Sequence, residues 1–144
     1  DGENSDVRHM PGGGSINPPT HETVDAHMHY LKQEGRQVFK LAVTRMADVC
    51  RKVLDRNGLD GDDVDYLVPH QANQRIIDAT AARMGLAPDQ VMVNIDRYGN
   101  TTAATIPLCL FDWEGELQRG DDLILTAFGG GFTWGAAHLT WAYD

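Results

Sequence analysis

Apolar and charged residues alternate along the chain in a pattern that predicts helices joined to short strands. Between residues 37 and 55, apolar side chains recur at helical spacing with charged ones between them, which is typical of a helix that buries one face. A second helix is predicted over residues 73–84, and Gly58 and Gly85 suit the left-handed position that ends each helix. A third helix is predicted to begin at Asn100 or Thr101 and to run to about residue 117.

Short apolar runs predict strands at residues 28–32, 64–68, 91–93, 123–128 and 134–141. A helix is predicted between successive strands, except between the last two, which flank a glycine-rich turn. This order indicates an α/β domain with a mixed sheet, in which helix-linked strands are parallel and the last two are antiparallel. Residues 1–22 are rich in glycine and proline and are predicted to form a loop.

Size and charge narrow the classes of function. The chain has 144 residues and a formal net charge of −9, which fits one acidic globular domain that repels a nucleic-acid backbone. No apolar run approaches the roughly 20 residues that span a bilayer, so we expect no membrane partner. Cys50 and Cys109 are too few for a disulfide scaffold and fall in apolar helical patterns, which predicts two buried thiols. The first residue is not Met, so we expect a piece of a longer protein.

Two polar residues follow predicted strands, at the end where α/β sheets usually bind ligands. His70 comes just after the strand at residues 64–68, and Asn100 comes soon after the one at residues 91–93. Either could act on a substrate. However, a single His is more often a structural hydrogen-bonding residue, and Asn is a good helix N-cap.

Two other segments invite a site. Residues 128–135 contain three consecutive glycines but do not match a dinucleotide-binding loop, because a strand and not a helix follows them. A hairpin with positive φ explains one or two of these glycines, and an exposed N–H there could serve as an oxyanion donor. His21, His27 and His29 lack the spacing of a metal-binding motif, so we predict no metal site.

Taken together, three segments are far more specific than each is alone. Residues 68–76 read VPHQANQRI, residues 96–104 read DRYGNTTAA and residues 127–135 read AFGGGFTWG, and they occur in that order. Together they resemble the C-terminal half of the β-ketoacyl-[acyl-carrier-protein] synthase III family of thiolase-fold condensing enzymes. Residues 35–40 resemble the stretch that opens the first long helix of that half.

The resemblance implies an α/β, thiolase-like fold: a C-terminal half with a mixed sheet and helices, packed on a similar N-terminal half in a five-layered, dimeric enzyme. Residues 1–27 would be a loop or linker from the preceding half, and residues 28–144 the C-terminal domain. Such enzymes take an acyl group from acyl-CoA onto a Cys and join it to malonyl-acyl-carrier protein. The products are 3-ketoacyl-carrier protein, CoA and carbon dioxide. The resemblance implies a cytoplasmic enzyme and no cofactor beyond the acyl-CoA substrate.

The resemblance also assigns roles residue by residue. His70 and Asn100 match the pair of donors to the enolate oxygen, Gly130 matches the backbone oxyanion donor, and Phe128 matches an aromatic residue beside the nucleophile. The nucleophilic Cys belongs to the N-terminal half, so this chain alone would be inactive. Positions that match the substrate tunnel and its mouth are Asn73, Arg75, Gly35, Phe39, Ala72 and Ile76, and positions that match carrier-protein docking are Lys40, Arg75 and Arg36.

Two alternatives stay open. One is a related condensing enzyme with a different starter or acceptor, such as a branched-chain, quinolone or polyketide-priming synthase. The other is a non-catalytic module that binds CoA or a carrier protein.

Overall fold

The computed structural model describes residues 2–144, so Asp1, the first residue of the predicted N-terminal loop, lies outside the described residues. Short 3-10 turns connect the main elements. The helices and strands, in chain order, are β1 (Arg8–His9), α1 (His21–Asp25), β2 (Lys32–Gln33), α2 (Gly35–Asn57), β3 (Tyr66–Pro69), α3 (Gln74–Met84), α4 (Ile95–Tyr98), α5 (Thr105–Trp113), β4 (Asp122–Gly129) and β5 (Thr133–Thr140).

The main sheet has the strand order β3-β4-β5. β3 runs parallel to β4, with Leu67 beside Ile124, and β4 runs antiparallel to β5, with Phe128 opposite Trp134. The predicted directions are confirmed for the strands that form: β3 and β4 are parallel, and β4 and β5 form an antiparallel hairpin. β1 and β2 form a separate antiparallel pair.

The two long helices are confirmed to within two residues at each end. After α2, Gly58 adopts φ 69 and its N–H donates to the Leu54 carbonyl. After α3, Gly85 adopts φ 80. Because a left-handed residue cannot continue the helix, each glycine ends the element there. The buried residues of α2 recur at helical spacing and form one face: Ala42, Val43, Met46, Ala47, Cys50 and Leu54.

The sheet lies between two layers of helices. Leu67 of β3 packs in a cluster with residues of α2 and α3, whereas the next residue, Val68, packs in a cluster with Cys109 of α5. Ile124 and Leu123 of β4 divide between the same two clusters. Successive side chains of a strand point to opposite faces, so α2 and α3 cover one face of the sheet and α5 covers the other. Each such buried side chain contributes about 1.5–3 kcal/mol of hydrophobic stabilisation.

The strand predicted at residues 28–32 is wrong. Residues 26–29 form a turn, in which the Met28 N–H donates to the Thr23 carbonyl over 3.0 Å, and only Lys32 joins β2. Thr20 starts α1 with a capping box, and His27 then takes φ 54. This left-handed residue turns the chain where the prediction extended it.

The strand predicted at residues 91–93 is also wrong. It amounts to a single bridge between Leu67 and Val91. A 3-10 turn, Pro88–Gln90, precedes it and α4 begins at Ile95, so too few residues remain to form a ladder.

The third helix begins later and ends earlier than predicted. Thr102 has φ 56 inside the predicted span, so α5 begins only at Thr105, and it ends at Trp113. Gly99, with φ 63, separates this segment from α4. Pro107 is the third residue of α5, where its missing N–H costs no helical hydrogen bond.

The predicted loop at residues 1–22 contains regular structure. A 3-10 helix, Gly2–Val7, leads into β1, which pairs with β2, and α1 begins at His21. The domain boundary at residue 27 stays a prediction. Among residues 2–144, no helix combines the length and apolar character that a bilayer span requires.

Candidate active site

Two adjoining cavities lie at the carboxyl ends of β3 and β4. The larger has a volume of about 430 Å³ and the smaller about 190 Å³. Five residues line both of them: Arg8, His70, Asn100, Phe128 and Gly129. The two polar residues singled out from their position after predicted strands are thus brought to one place.

The sheet positions His70. It follows β3 directly, and its backbone N–H donates to the Thr126 carbonyl over 2.8 Å, which extends the parallel pairing by one residue. Phe128 lies two residues further along β4, so the ends of the two strands present both side chains to the same cavities. This edge is where α/β sheets usually bind ligands.

A tight turn positions Asn100. Gly99 takes φ 63 and ψ −154, and the Thr102 N–H donates to Asn100 Oδ1 over 2.9 Å. Asn100 therefore closes a side-chain turn and does not cap α5. Since the carbonyl end of its amide is occupied, the NH₂ end is the part that can donate to a ligand.

His70 is half-buried, and burial lowers the pKa of its imidazole below the ordinary 6.5. The ring is therefore neutral at neutral pH. Its Nδ1 lies 2.7 Å from Oγ1 of Thr105, whose side chain is almost fully buried. A neutral ring held at Nδ1 has its other nitrogen, Nε2, left for a substrate.

The residue after His70 begins a buried polar network. Gln71 is 0% exposed, and its Nε2 donates to the Pro69 and Met92 carbonyls over 2.8 and 3.0 Å. Its Oε1 accepts the Asn94 N–H over 3.0 Å. A buried amide with all of these bonds made is strongly oriented, so Gln71 fixes the loop that carries His70.

Asn94 continues the network towards Asn100. Its Nδ2 donates to Asp112 Oδ2 over 2.7 Å, and the same oxygen accepts Arg97 Nη2 over 2.7 Å. Tyr98 donates to the other oxygen of Asp112 over 3.1 Å. The segment that leads to Asn100 is therefore anchored to α5 and, through Gln71, to the loop of His70.

Gly130 lies in the turn between β4 and β5 and lines the larger cavity. Of the three glycines, only Gly131 has positive φ, at 138. This agrees with the expectation that a hairpin would explain one or two of them. The ring of Phe128 packs 5.0 Å from the ring of Phe132.

The other residues matched to a substrate tunnel divide into two groups. Ala72, Asn73 and Ile76 line the smaller cavity, and Asn73 also caps α3 by accepting the Arg75 N–H over 3.0 Å. Gly35 and Phe39 lie on the first turns of α2, outside the walls of these two cavities.

The residues matched to carrier-protein docking lie together at the start of α2 and α3. The Arg75 guanidinium lies 5.4 Å from the centre of the Phe39 ring, which joins the two helices at this end. Arg36 and Lys40 are exposed on the first turns of α2. Within residues 2–144, none of these three cations has a carboxylate within 4.0 Å.

Two residues at the site were not predicted. Arg8 lines both cavities, is exposed, and has no ion pair among the described residues. It reaches the site because β1 pairs with β2, a contact between two very short strands that no periodicity signals. Thr105 was predicted only as part of a helix, because its contact with His70 lies 35 residues away in sequence and no local pattern signals it.

Two of the three candidate histidines near the start of the chain make ordinary contacts, and both cysteines are buried. His29 Nε2 lies 3.0 Å from Thr23 Oγ1, and the His27 ring stacks on Tyr30 at 4.9 Å. Cys50 and Cys109 are both 0% exposed, and burial raises their pKa to about 11 and about 12. The prediction that both thiols are buried is confirmed, and their low reactivity stays a prediction.

We expect His70 to titrate below 6.5 in the folded protein, because burial disfavours its charged form. By linkage, the unfolded chain takes up this proton first as the pH falls, so His70 lowers the free energy of unfolding as the pH drops through 6.5. Proton NMR titration, with His70→Gln for assignment and the urea-unfolded chain as reference, measures the midpoint. A folded midpoint at or above the unfolded one would contradict the neutral ring.

We expect neither Cys50 nor Cys109 to react with iodoacetamide at neutral pH in the folded protein, because both thiols are buried and protonated. Mass spectrometry should show both alkylated only after unfolding in guanidinium. Rapid modification of either residue under native conditions would mean that a reactive thiol exists in this chain.

The comparisons agree with this geometry. The family model described as "3-Oxoacyl-[acyl-carrier-protein (ACP)] synthase III C terminal" matches residues 54–141. β-Ketoacyl-[acyl-carrier-protein] synthase III of Phocaeicola vulgatus is 54% identical over 144 residues, which is 100% of this chain and 43% of the relative. The synthase III of Porphyromonas gingivalis is 58% identical over 135 residues, which is 94% of this chain and 40% of the relative.

Solved structures have the same fold. The 3-oxoacyl-(acyl carrier protein) synthase III of Pseudomonas aeruginosa matches with a TM-score of 0.82 and 40% identity over 99% of this chain and 42% of its own. A priming β-ketosynthase from a polyketide biosynthetic pathway matches with a TM-score of 0.79 and 29% identity over 99% of this chain and 43% of its own.

The chain spans less than half the length of the curated relatives that it matches. The match covers the segments that carry His70, Asn100 and the glycine-rich turn, and the mixed sheet with its two helical layers is the expected fold. The chain therefore belongs to the β-ketoacyl-[acyl-carrier-protein] synthase III family, and its fold is that of the C-terminal, thiolase-like half.

Proposed function

We propose that this chain provides the decarboxylating side of a condensing enzyme that joins an acyl group from acyl-CoA to malonyl-acyl-carrier protein. The products are 3-ketoacyl-carrier protein, CoA and carbon dioxide, as in the first condensation of fatty-acid synthesis. One observation carries the proposal. His70 and Asn100 line the same cavities, one as a neutral imidazole and the other as an amide whose NH₂ end can donate.

The chemistry needs two neutral donors. When the malonyl carboxylate leaves as carbon dioxide, the electrons of the broken C–C bond move onto the thioester, whose oxygen becomes negative. His70 and Asn100 would donate to that oxygen, and one such donor lowers a barrier by about 3–4 kcal/mol. A neutral donor gains most of its strength as this charge forms, so it favours the transition state over the bound substrate.

The second step needs the glycine-rich turn. The enolate carbon attacks the acyl thioester, the carbonyl oxygen becomes an oxyanion, and the Cys thiolate then leaves. The Gly130 N–H is our candidate donor to that oxyanion, with Phe128 beside the nucleophile. The Cys must come from an N-terminal segment, because Cys50 and Cys109 are buried and protonated. We therefore expect this chain alone to be inactive, and the assembled enzyme to be a cytoplasmic dimer.

Docking of the substrates would be local. With a net charge of −9, the protein as a whole repels an acidic carrier protein and CoA phosphates. Arg36, Lys40 and Arg75 form an exposed group of positive charges near the cavities, held by the contact between Arg75 and Phe39. Arg8 adds a positive charge at the cavities themselves. Ala72, Asn73 and Ile76 line the smaller cavity, which supports roles for them along the route between docking group and site. Gly35 and Phe39 lie outside both cavities, so their tunnel-wall roles rest on the resemblance alone.

The identity of the starter acyl group is also a proposal. Relatives more than 50% identical to this chain carry the name synthase III. This name supports fatty-acid initiation, although solved structures called synthase III are as low as 24% identical and the polyketide-priming neighbour is 29% identical, so the solved structures do not separate the two reactions. A panel of acyl-CoA primers with the assembled enzyme discriminates between the two.

In the protein assembled with its Cys-bearing segment, we expect His70→Ala or Asn100→Ala to lower malonyl decarboxylation and condensation about 10²–10³-fold. Acylation of the Cys by acetyl-CoA should change little, because neither residue acts in that step. Release of radiolabelled carbon dioxide measures malonyl decarboxylation. Intact mass measures acylation of the Cys. His21→Ala and Asn57→Ala, outside the two cavities, are the matched controls.

Loss of acylation with intact decarboxylation would contradict these roles. A non-catalytic module makes a different prediction. It would bind CoA or carrier protein, yet give no condensation product even with the Cys-bearing segment present.

A further inference from the structure

Thr105 touches His70 from behind the cavity. Its Oγ1 lies 2.7 Å from Nδ1 of His70, and its side chain is 2% exposed at the start of α5. The same oxygen lies 3.1 Å from the Thr102 carbonyl. No other hydrogen bond reaches Nδ1 of His70 within residues 2–144, so the hydroxyl alone faces this nitrogen.

The Thr105 hydroxyl has one proton and two possible acceptors. If it donates to Thr102, then Nδ1 of His70 must carry a proton, and the neutral ring has a bare Nε2. If it donates to Nδ1, the ring proton resides on Nε2. The acceptor to which the Thr105 hydroxyl donates therefore determines the tautomer of His70.

Two facts favour donation to Nδ1. The Thr102 carbonyl already accepts the backbone N–H of Thr105, so it keeps a partner when the hydroxyl turns away. The 2.7 Å contact to His70 is shorter than the 3.1 Å contact to Thr102, and an O–H donor typically makes the shorter bond.

We infer that Thr105 is a positioning residue: its hydroxyl donates to Nδ1 of His70 and so holds the proton on Nε2, where it can be donated to a substrate oxygen. The role of this proton in catalysis rests on the proposed function, since an enolate oxygen needs an N–H donor and is repelled by an unprotonated nitrogen. The tautomer itself is a property of the protein without substrate.

The test compares Thr105→Val, which removes the hydroxyl at nearly constant shape, with Thr105→Ser, which keeps it. In the ¹⁵N-histidine-labelled protein assembled with its Cys-bearing segment, two-bond ¹H–¹⁵N NMR reports which ring nitrogen is protonated. We expect the Nε2–H form in the wild type and in Thr105→Ser, and a mixture in Thr105→Val. We expect kcat for malonyl decarboxylation to fall by about 10-fold or more in Thr105→Val, the size of effect known for the hydrogen-bond partners of metal-bound histidines, with KM nearly unchanged and recovery in Thr105→Ser.

A wild-type ring protonated on Nδ1 would overturn the inference, even if Thr105→Val fails to fold. An unchanged spectrum and rate in Thr105→Val would overturn it as well. If the wild type and Thr105→Ser carry the Nε2 proton and Thr105→Val loses it, the inference stands. This conclusion about the tautomer holds even if no form of the protein decarboxylates a malonyl thioester. In that case only the proposed function fails.

Discussion

The parallel pairing of β3 with β4 is the constraint on which the rest of the site depends. It brings two carboxyl strand ends to one edge, and the hydrogen bond from the His70 N–H to the Thr126 carbonyl continues it beyond β3. Burial of alternate side chains on both faces of these strands fixes the register, because a slip by one residue would move Leu67 and Val68 to the wrong layers. A stable core thus sets the position of the imidazole.

The loop that carries Asn100 has no strand to hold it and relies on polar contacts. Gln71, Asn94 and Asp112 link it to the His70 loop and to α5 through short, mostly buried hydrogen bonds. A buried polar network is destabilising unless each of its groups has a hydrogen-bond partner. Here the side-chain amides of Gln71 and Asn94 both have partners. Thr105 adds a contact to the ring itself. The side chains of His70 and Asn100 are therefore oriented before any substrate arrives, which is what the proposed stabilisation of a transition state requires.

Periodic features of the fold were predictable from sequence, and features decided by single contacts were not. α2 and α3 follow from helical spacing and from Gly58 and Gly85. The break between α4 and α5 depends on left-handed Gly99 and Thr102, which no periodicity signals. At the site, His70 and Asn100 could be predicted because three segments in a fixed order together resemble one family, whereas the position of each residue alone left a structural role open. Arg8 reaches the cavities by the pairing of two-residue strands, and Thr105 by a contact 35 residues away in sequence, so neither had a local signal.

The central claim is that His70 and Asn100 together hold one substrate oxygen. A crystal structure of the protein, assembled with its Cys-bearing segment and bound to an unreactive malonyl thioester analogue, tests this directly. The account predicts the thioester oxygen within about 2.7–3.2 Å of both His70 Nε2 and Asn100 Nδ2. An analogue that fills the cavity with its oxygen directed away from both side chains would contradict it.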